Sequence, residues 1–378
     1  MIMLKIKFYR YSFWILINAV IGVLMTGFKS GTSAIQLIEL QNKKIQISPK
    51  EFFIADVIDG RIDKLSIGRL ISPATQAGKA PVYYNANFKD GFASIKSYII
   101  NGLPVNKSLR PVVIRIKAFK VEETPLGTGR VNGQISLSVA FGLIRDDDFI
   151  HLVDYDGSAV YQRKTGTAQD LEPIWRSTIN NSLTYFNNWI NMQADYNINL
   201  AKGVKVIFTD YKEKEEGDTI YYNVNRPLKW TDFKDKPQIS TKFGAAVFAS
   251  LGYTEEVKLI KGIVNVKINL KVYVPKSACW VKDNTADDYA LNHEQRHFDI
   301  VKIIAGRFKQ RILTEKLSTY NYDGPINVAY FDALREIDKM QKQYDGETQH
   351  SINTYQQQIW NVKIDNELEA LGVKPKNI

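Results

Sequence analysis

The stretch NHEQRHFDIVKIIAGRF, residues 292–308, decides how the rest of the chain is read. His293, His297, Val301, Ile304 and Phe308 fall at i, i+4, i+8, i+11 and i+15, one stripe of an α-helix, so both imidazoles face the same apolar side. An inward histidine is commonly a hydrogen-bonded core residue. The pattern here is more specific, because His293-Glu294-Gln295-Arg296-His297 is an HExxH sequence. Residues four apart on a helix are stacked neighbours, about 5–6 Å between Cβ atoms, and two imidazoles so placed reach one ion with Glu294 beside it. Zinc takes neutral imidazole nitrogens at about 2.0–2.1 Å, and a catalytic site keeps one position open for water. A carboxylate next to that water can take its proton.

The remaining ligands must come from few residues. The single cysteine, Cys279, excludes a disulfide framework and any multi-cysteine metal site, and the four histidines are His151, His293, His297 and His350. His350 stands in YDGETQHS, residues 344–351, far enough past His297 for an intervening helix to bring the chain back, and is the expected third ligand. Asp345 and Glu347 compete with it, because carboxylate oxygens also bind zinc at about 2.0–2.2 Å. Tyr344 is a candidate to stabilise an oxyanion. Cys279, with no adjacent base, reads as structural, and His151, in the strand-like FIHLV, as a packing residue.

Working outward, the strand IVNVKINLKVYV, residues 263–274, precedes the HExxH helix and is expected to offer a sheet edge to an extended peptide. Three helices are expected, over about 286–316, 327–343 and 351–371. The charged stretch Lys212 to Gly217 has no periodicity and marks the expected domain boundary. Before it, residues 35–211 read as α+β. Phe52 to Val57 is a buried strand, Ile135, Leu137, Val139 and Phe141 alternate with small or polar residues, and Leu171, Trp175, Ile179, Leu183, Phe186 and Ile190 recur at helical spacing. Asp156-Gly157 is expected to turn a hairpin, and Gly127, Gly129 and Asp146 to Asp148 read as turns.

At the N-terminus, Lys5, Lys7 and Arg10 precede an apolar run from Ser12 to Met25, followed by the small residues Gly31 to Ala34. This is the layout of a signal peptide over residues 1–34, with an uncleaved N-terminal anchor as the alternative. Export to the periplasm or beyond is expected, with membrane contact only through that segment. Of the net +10, four charges lie in these 34 residues. The remainder, 46 basic against 40 acidic residues, is spread along the chain, which argues against nucleic acid as partner. With 44% hydrophobic and 24% charged residues, disorder, collagen and coiled coil are excluded as the main architecture.

RPLKWTDF (residues 226–233), NHEQRHFDI, YDGETQHS and QQQIWNVKIDNEL (residues 356–368) resemble, in that order, the motifs of domain-of-unknown-function family 922, bacterial proteins predicted to be secreted zinc-dependent proteases. The resemblance covers about residues 218–371. It implies His293, His297 and His350 as ligands of one zinc ion per chain and Glu294 as catalytic base. It also implies Asp299, Asp345 and Thr348 as groups able to orient the imidazoles. Ser351 departs from the family, where glycine is expected. The fold class is therefore α+β: a small sheet-plus-helix domain of unknown role, then a zincin-like domain over 218–378. The expected function is peptide-bond hydrolysis, with a peptide or protein as substrate. The alternative is an envelope binding or assembly protein whose zinc site is structural or catalytically silent, closed by a fourth protein ligand.

Overall fold

Alternation of apolar and polar residues in the first half of the chain builds one mixed seven-stranded sheet. In the computed structural model, which describes residues 35–373 apart from 76–78, 128, 166–170, 214 and 238–239, its strands are β1 (Ile35–Ile38), β2 (Phe52–Asp59), β3 (Gly68–Ile71), β4 (Tyr83–Phe88), β5 (Arg110–Pro125), β6 (Arg130–Arg145) and β7 (Asp148–Lys164). The leader expected over residues 1–34 lies outside the described residues. The order is β1-β4-β3-β5-β6-β7, with β2 parallel to β5. Helices α1 (Phe92–Gly102) and α2 (Glu172–Gln193) cover the sheet and meet where the Tyr98 hydroxyl donates to Asn180 Oδ1 at 2.7 Å. All six residues of the expected helical stripe are buried. Trp175, fully buried, meets Phe88 and Phe119 edge-on, each with ring centroids 5.1 Å away. Trp175→Ala is expected to lower the unfolding free energy by about 3–5 kcal/mol in urea titration, the cost of so large a cavity.

Two local expectations are corrected. Asp156-Gly157 does not turn: β7 runs through it, and the reversal falls at Asp146-Asp147, both left-handed at φ 49° and 68°. Aspartate tolerates that region, and two such residues make the hairpin turn whose twist suits the strands. Gly157 serves clearance instead, since a Cβ there would overlap the Tyr155 ring. His151 is not a packing residue. Its side chain is exposed, with Nε2 3.1 Å from Asp154 Oδ1.

The second half is strands first and helices after. β8 (Gly203–Asp210), β9 (Thr219–Tyr221), β11 (Ser250–Ile260) and β12 (Ile263–Pro275) form one sheet, and β10 (Ala245–Ala246) pairs with β13 (Trp280–Val281). β8 precedes the charged stretch over 212–217, yet it is the parallel partner of β12, and its Val204, Val206 and Phe208 pack on the second core. β12 is an interior strand, flanked by β11 on one side and by β8 and β9 on the other, so it presents no edge to a peptide. Its buried face, Val264 through Val274 in alternation, lies in one cluster with Val301, Ile304 and Phe308 of α3 (Asp288–Thr314).

α3 starts where the Asp287 side chain accepts from Ala290 N at 2.7 Å, an N-cap that fixes the helix phase. α4 (Asp323–Thr348) and α5 (Thr354–Ala370) pack on it and on each other. α4 runs further than the expected end near 343, through Gly346 to a left-handed C-cap at Gln349. No helix among the described residues is long and apolar enough to cross a membrane.

Candidate metal centre

Helical spacing on α3 brings His293 and His297 side by side, both buried, with ring centroids 5.0 Å apart. The last turn of α4 completes the group. Asp345 Oδ1 lies 3.2 Å from His293 Nε2 and 3.0 Å from His297 Nε2, and one donor atom from each of the three residues falls within 4.8 Å of the others. In a tetrahedron of ligands at about 2.0–2.1 Å, neighbouring donor atoms stand roughly 3.3 Å apart, so these separations suit a single ion. The chemistry of the donors agrees. Asp345 Oδ1 is a buried oxygen without a hydrogen-bond partner among the described residues, facing two imidazole nitrogens. A buried HExxH-type group that fits one Zn²⁺ is therefore present.

The electrostatics follow from burial and these contacts. Burial works against charge on Asp345, but His293 and His297 outweigh it and hold the carboxyl well below the usual range. Burial likewise disfavours protonated His293, yet contact with Asp345 and the nearness of Glu294 raise its pKa. Glu294 is buried and pushed above the ordinary carboxylate range by desolvation, which the two imidazoles only partly offset. The Val247 N–H also faces Glu294 and favours its charged form. That contact puts the carboxylate beside the end of β10, whose only strand partner among the described residues is β13.

The other expected site residues separate. His350 is half exposed, with Nδ1 3.5 Å from Asp345 Oδ1 and its ring 4.3 Å from that of Phe243. It sits in a run of three left-handed residues, Gln349, His350 and Ser351, at φ 50°, 51° and 69°. Ser351 thus takes a left-handed conformation that glycine adopts without strain. Glu347 accepts from Trp360 Nε1 at 2.7 Å and from Gln343, tying α4 to α5. Thr348 is buried and donates to the Tyr344 carbonyl at 2.7 Å. Asp299 accepts from Tyr222, Gln295 and Arg296, and none of its hydrogen bonds among the described residues goes to an imidazole. Tyr344 has no exposed surface. Its ring stacks on His293 at 4.7 Å and its hydroxyl turns to Gln357, so it offers nothing to a substrate oxygen.

One residue of the centre was not singled out from the sequence. Gln357 of α5, fully buried, lies with Oε1 2.9 Å from His293 Nδ1. Its signal is position: Gln357, Trp360, Ile364 and Leu368 share one helical stripe, and a polar residue on such a stripe needs a partner.

No family model matches the chain, and no curated protein matches it. Among solved structures, it is similar to an uncharacterized protein (10% identity, 41% of this chain and 97% of the other, TM-score 0.23). A Xanthomonas campestris protein of family DUF330 (11%, 43% and 96%, TM-score 0.27) and a minor lipoprotein from Acinetobacter baumannii (12%, 37% and 94%, TM-score 0.20) are similar to the same degree. At these TM-scores the likenesses carry no argument about this chain.

Proposed function

We propose that this chain is an exported zinc-dependent peptidase, with His293, His297 and Asp345 as metal ligands and Glu294 as general base. The observation that carries the proposal is the buried Asp345 oxygen that faces two imidazole nitrogens at 3.2 and 3.0 Å beside a buried glutamate. Bound there, zinc would lower the pKa of a coordinated water toward neutrality and polarise a carbonyl. Glu294, desolvated and so a stronger base than a surface carboxylate, takes the proton from the attacking water and returns it to the leaving amine. β10, a strand of only two residues next to Glu294, is the place where an extended peptide can add main-chain hydrogen bonds. The motif resemblance to family 922 and the leader-like first 34 residues support secretion and proteolysis as the finer reading.

A second reading draws on His350. An imidazole 3.5 Å from Asp345 Oδ1 is near enough to close the site as a fourth protein ligand, which would make the metal structural and the chain a binding or assembly protein. One experiment separates the two. The purified protein is expected to hold about one zinc per chain, and cleavage of an unfolded protein substrate is expected to stop on chelation and return with zinc. Cobalt-substituted protein should then show an exchangeable water on the metal. Four protein ligands and no water would favour the second reading, and no metal under any loading condition would remove both.

A further inference from the structure

The side-chain amide of Gln357 lies between His293 and Asn361, and which way round it sits is determined by groups further away. Asn361 Oδ1 accepts from Arg296 Nε at 3.0 Å. Arginine offers only donors, so asparagine must turn its oxygen into this contact. The same oxygen is 3.1 Å from the Gln357 amide, which therefore presents its NH2. Tyr344 is compatible with this answer without imposing it, because a phenol hydroxyl can donate or accept. Its hydroxyl is 3.4 Å from the His293 carbonyl, an acceptor only, and 2.5 Å from Gln357. It gives its hydrogen to the carbonyl and accepts one from the amide nitrogen. With the nitrogen committed on two sides, Gln357 faces His293 Nδ1 with its oxygen, and an oxygen there requires a hydrogen on Nδ1. Neutral His293 then carries a bare Nε2, the atom 3.2 Å from Asp345 Oδ1. Two lone pairs at that distance repel unless a cation lies between them.

We infer that Arg296, acting through Asn361 and Gln357, fixes His293 as the Nδ1–H tautomer and so keeps its Nε2 free for the metal. All three are positioning residues. The order of the chain follows from its first member, because a guanidinium never accepts a hydrogen bond and stays charged at ordinary pH. Asp365 and Asp299 hold that guanidinium in turn, at 2.6 and 3.1 Å. His297 has no such control: its Nδ1 is buried without a hydrogen-bond partner among the described residues. The purpose of the device rests on the metal-site reading; its test does not.

Long-range ¹H–¹⁵N spectra of the full chain labelled with ¹⁵N-histidine and stripped of metal should show His293 protonated at Nδ1. Asn361→Leu, which removes the acceptor, should release that preference and weaken zinc binding about 10- to 100-fold in chelator competition. Asn361→Asp, which keeps an oxygen at both contacts, should retain the tautomer and the affinity. An Nε2–H tautomer in the wild type overturns the inference, and so does an unchanged His293 spectrum in Asn361→Leu. If Asn361→Leu does not fold, the wild-type spectrum alone still decides. A protein with the Nδ1–H tautomer but no peptidase activity supports this inference and counts against the proposed function.

Discussion

Glu294→Gln is expected to lower the rate of peptide hydrolysis by about 10²- to 10⁴-fold while the chain keeps its zinc, the range that removal of a general base produces. The substitution is nearly isosteric. The amide oxygen can still take the Val247 N–H, so the approach to β10 is preserved, but the group no longer accepts a proton. Glu294 is not among the three residues whose donor atoms converge, so metal content should not change. Metal analysis and single-turnover cleavage on the same preparation make the comparison. An undiminished rate would place the base elsewhere and end the mechanism.

Asp345→Ala is expected to cost more than about 100-fold in zinc affinity, beyond what the loss of an orienting neighbour produces. It deletes one of three convergent donors and leaves two imidazoles. His350→Ala should stay within about tenfold of the wild type, because His350 stands outside that group and half in solvent. Glu347→Ala, which breaks the bond to Trp360, should act on stability and leave the metal in place. The reverse ranking, with His350→Ala losing zinc and Asp345→Ala holding it, would make His350 the third ligand and Asp345 its orienting neighbour.

The parts of this molecule legible in its sequence are those where local pattern and tertiary packing agree. α2 and α3 are two such cases: each apolar stripe is long, and HExxH falls in phase with the second. The end of α4 is the opposite case. Gly346 costs about 1 kcal/mol inside a helix and reads as a stop. Tyr344 and Thr348, both fully buried, continue the helix across it. That extra turn is what brings Asp345 to the histidines. Gln357 carries a visible signal as a polar residue on a buried stripe, but its partner depends on how α5 lies against α3, which no spacing encodes. β8 is hidden for a similar reason. Its parallel partner, β12, comes much later in the chain, across a charged stretch that has the composition of a linker.

Among the described residues there are two buried apolar clusters, the first reaching Leu200 and the second beyond it, and the three convergent donor atoms come from α3 and the end of α4, helices that pack on the second. An ion held by them ties those helices together, and its binding free energy adds to the folding of the part they belong to. At free zinc about 1,000 times the dissociation constant, the addition is about 4.1 kcal/mol. That is a large fraction of the roughly 5–15 kcal/mol by which a domain is stable at all. The hold of α3 on α4 therefore follows the zinc supply of the surroundings, while the N-terminal sheet, closed over its own aromatic core, contributes none of the three donors.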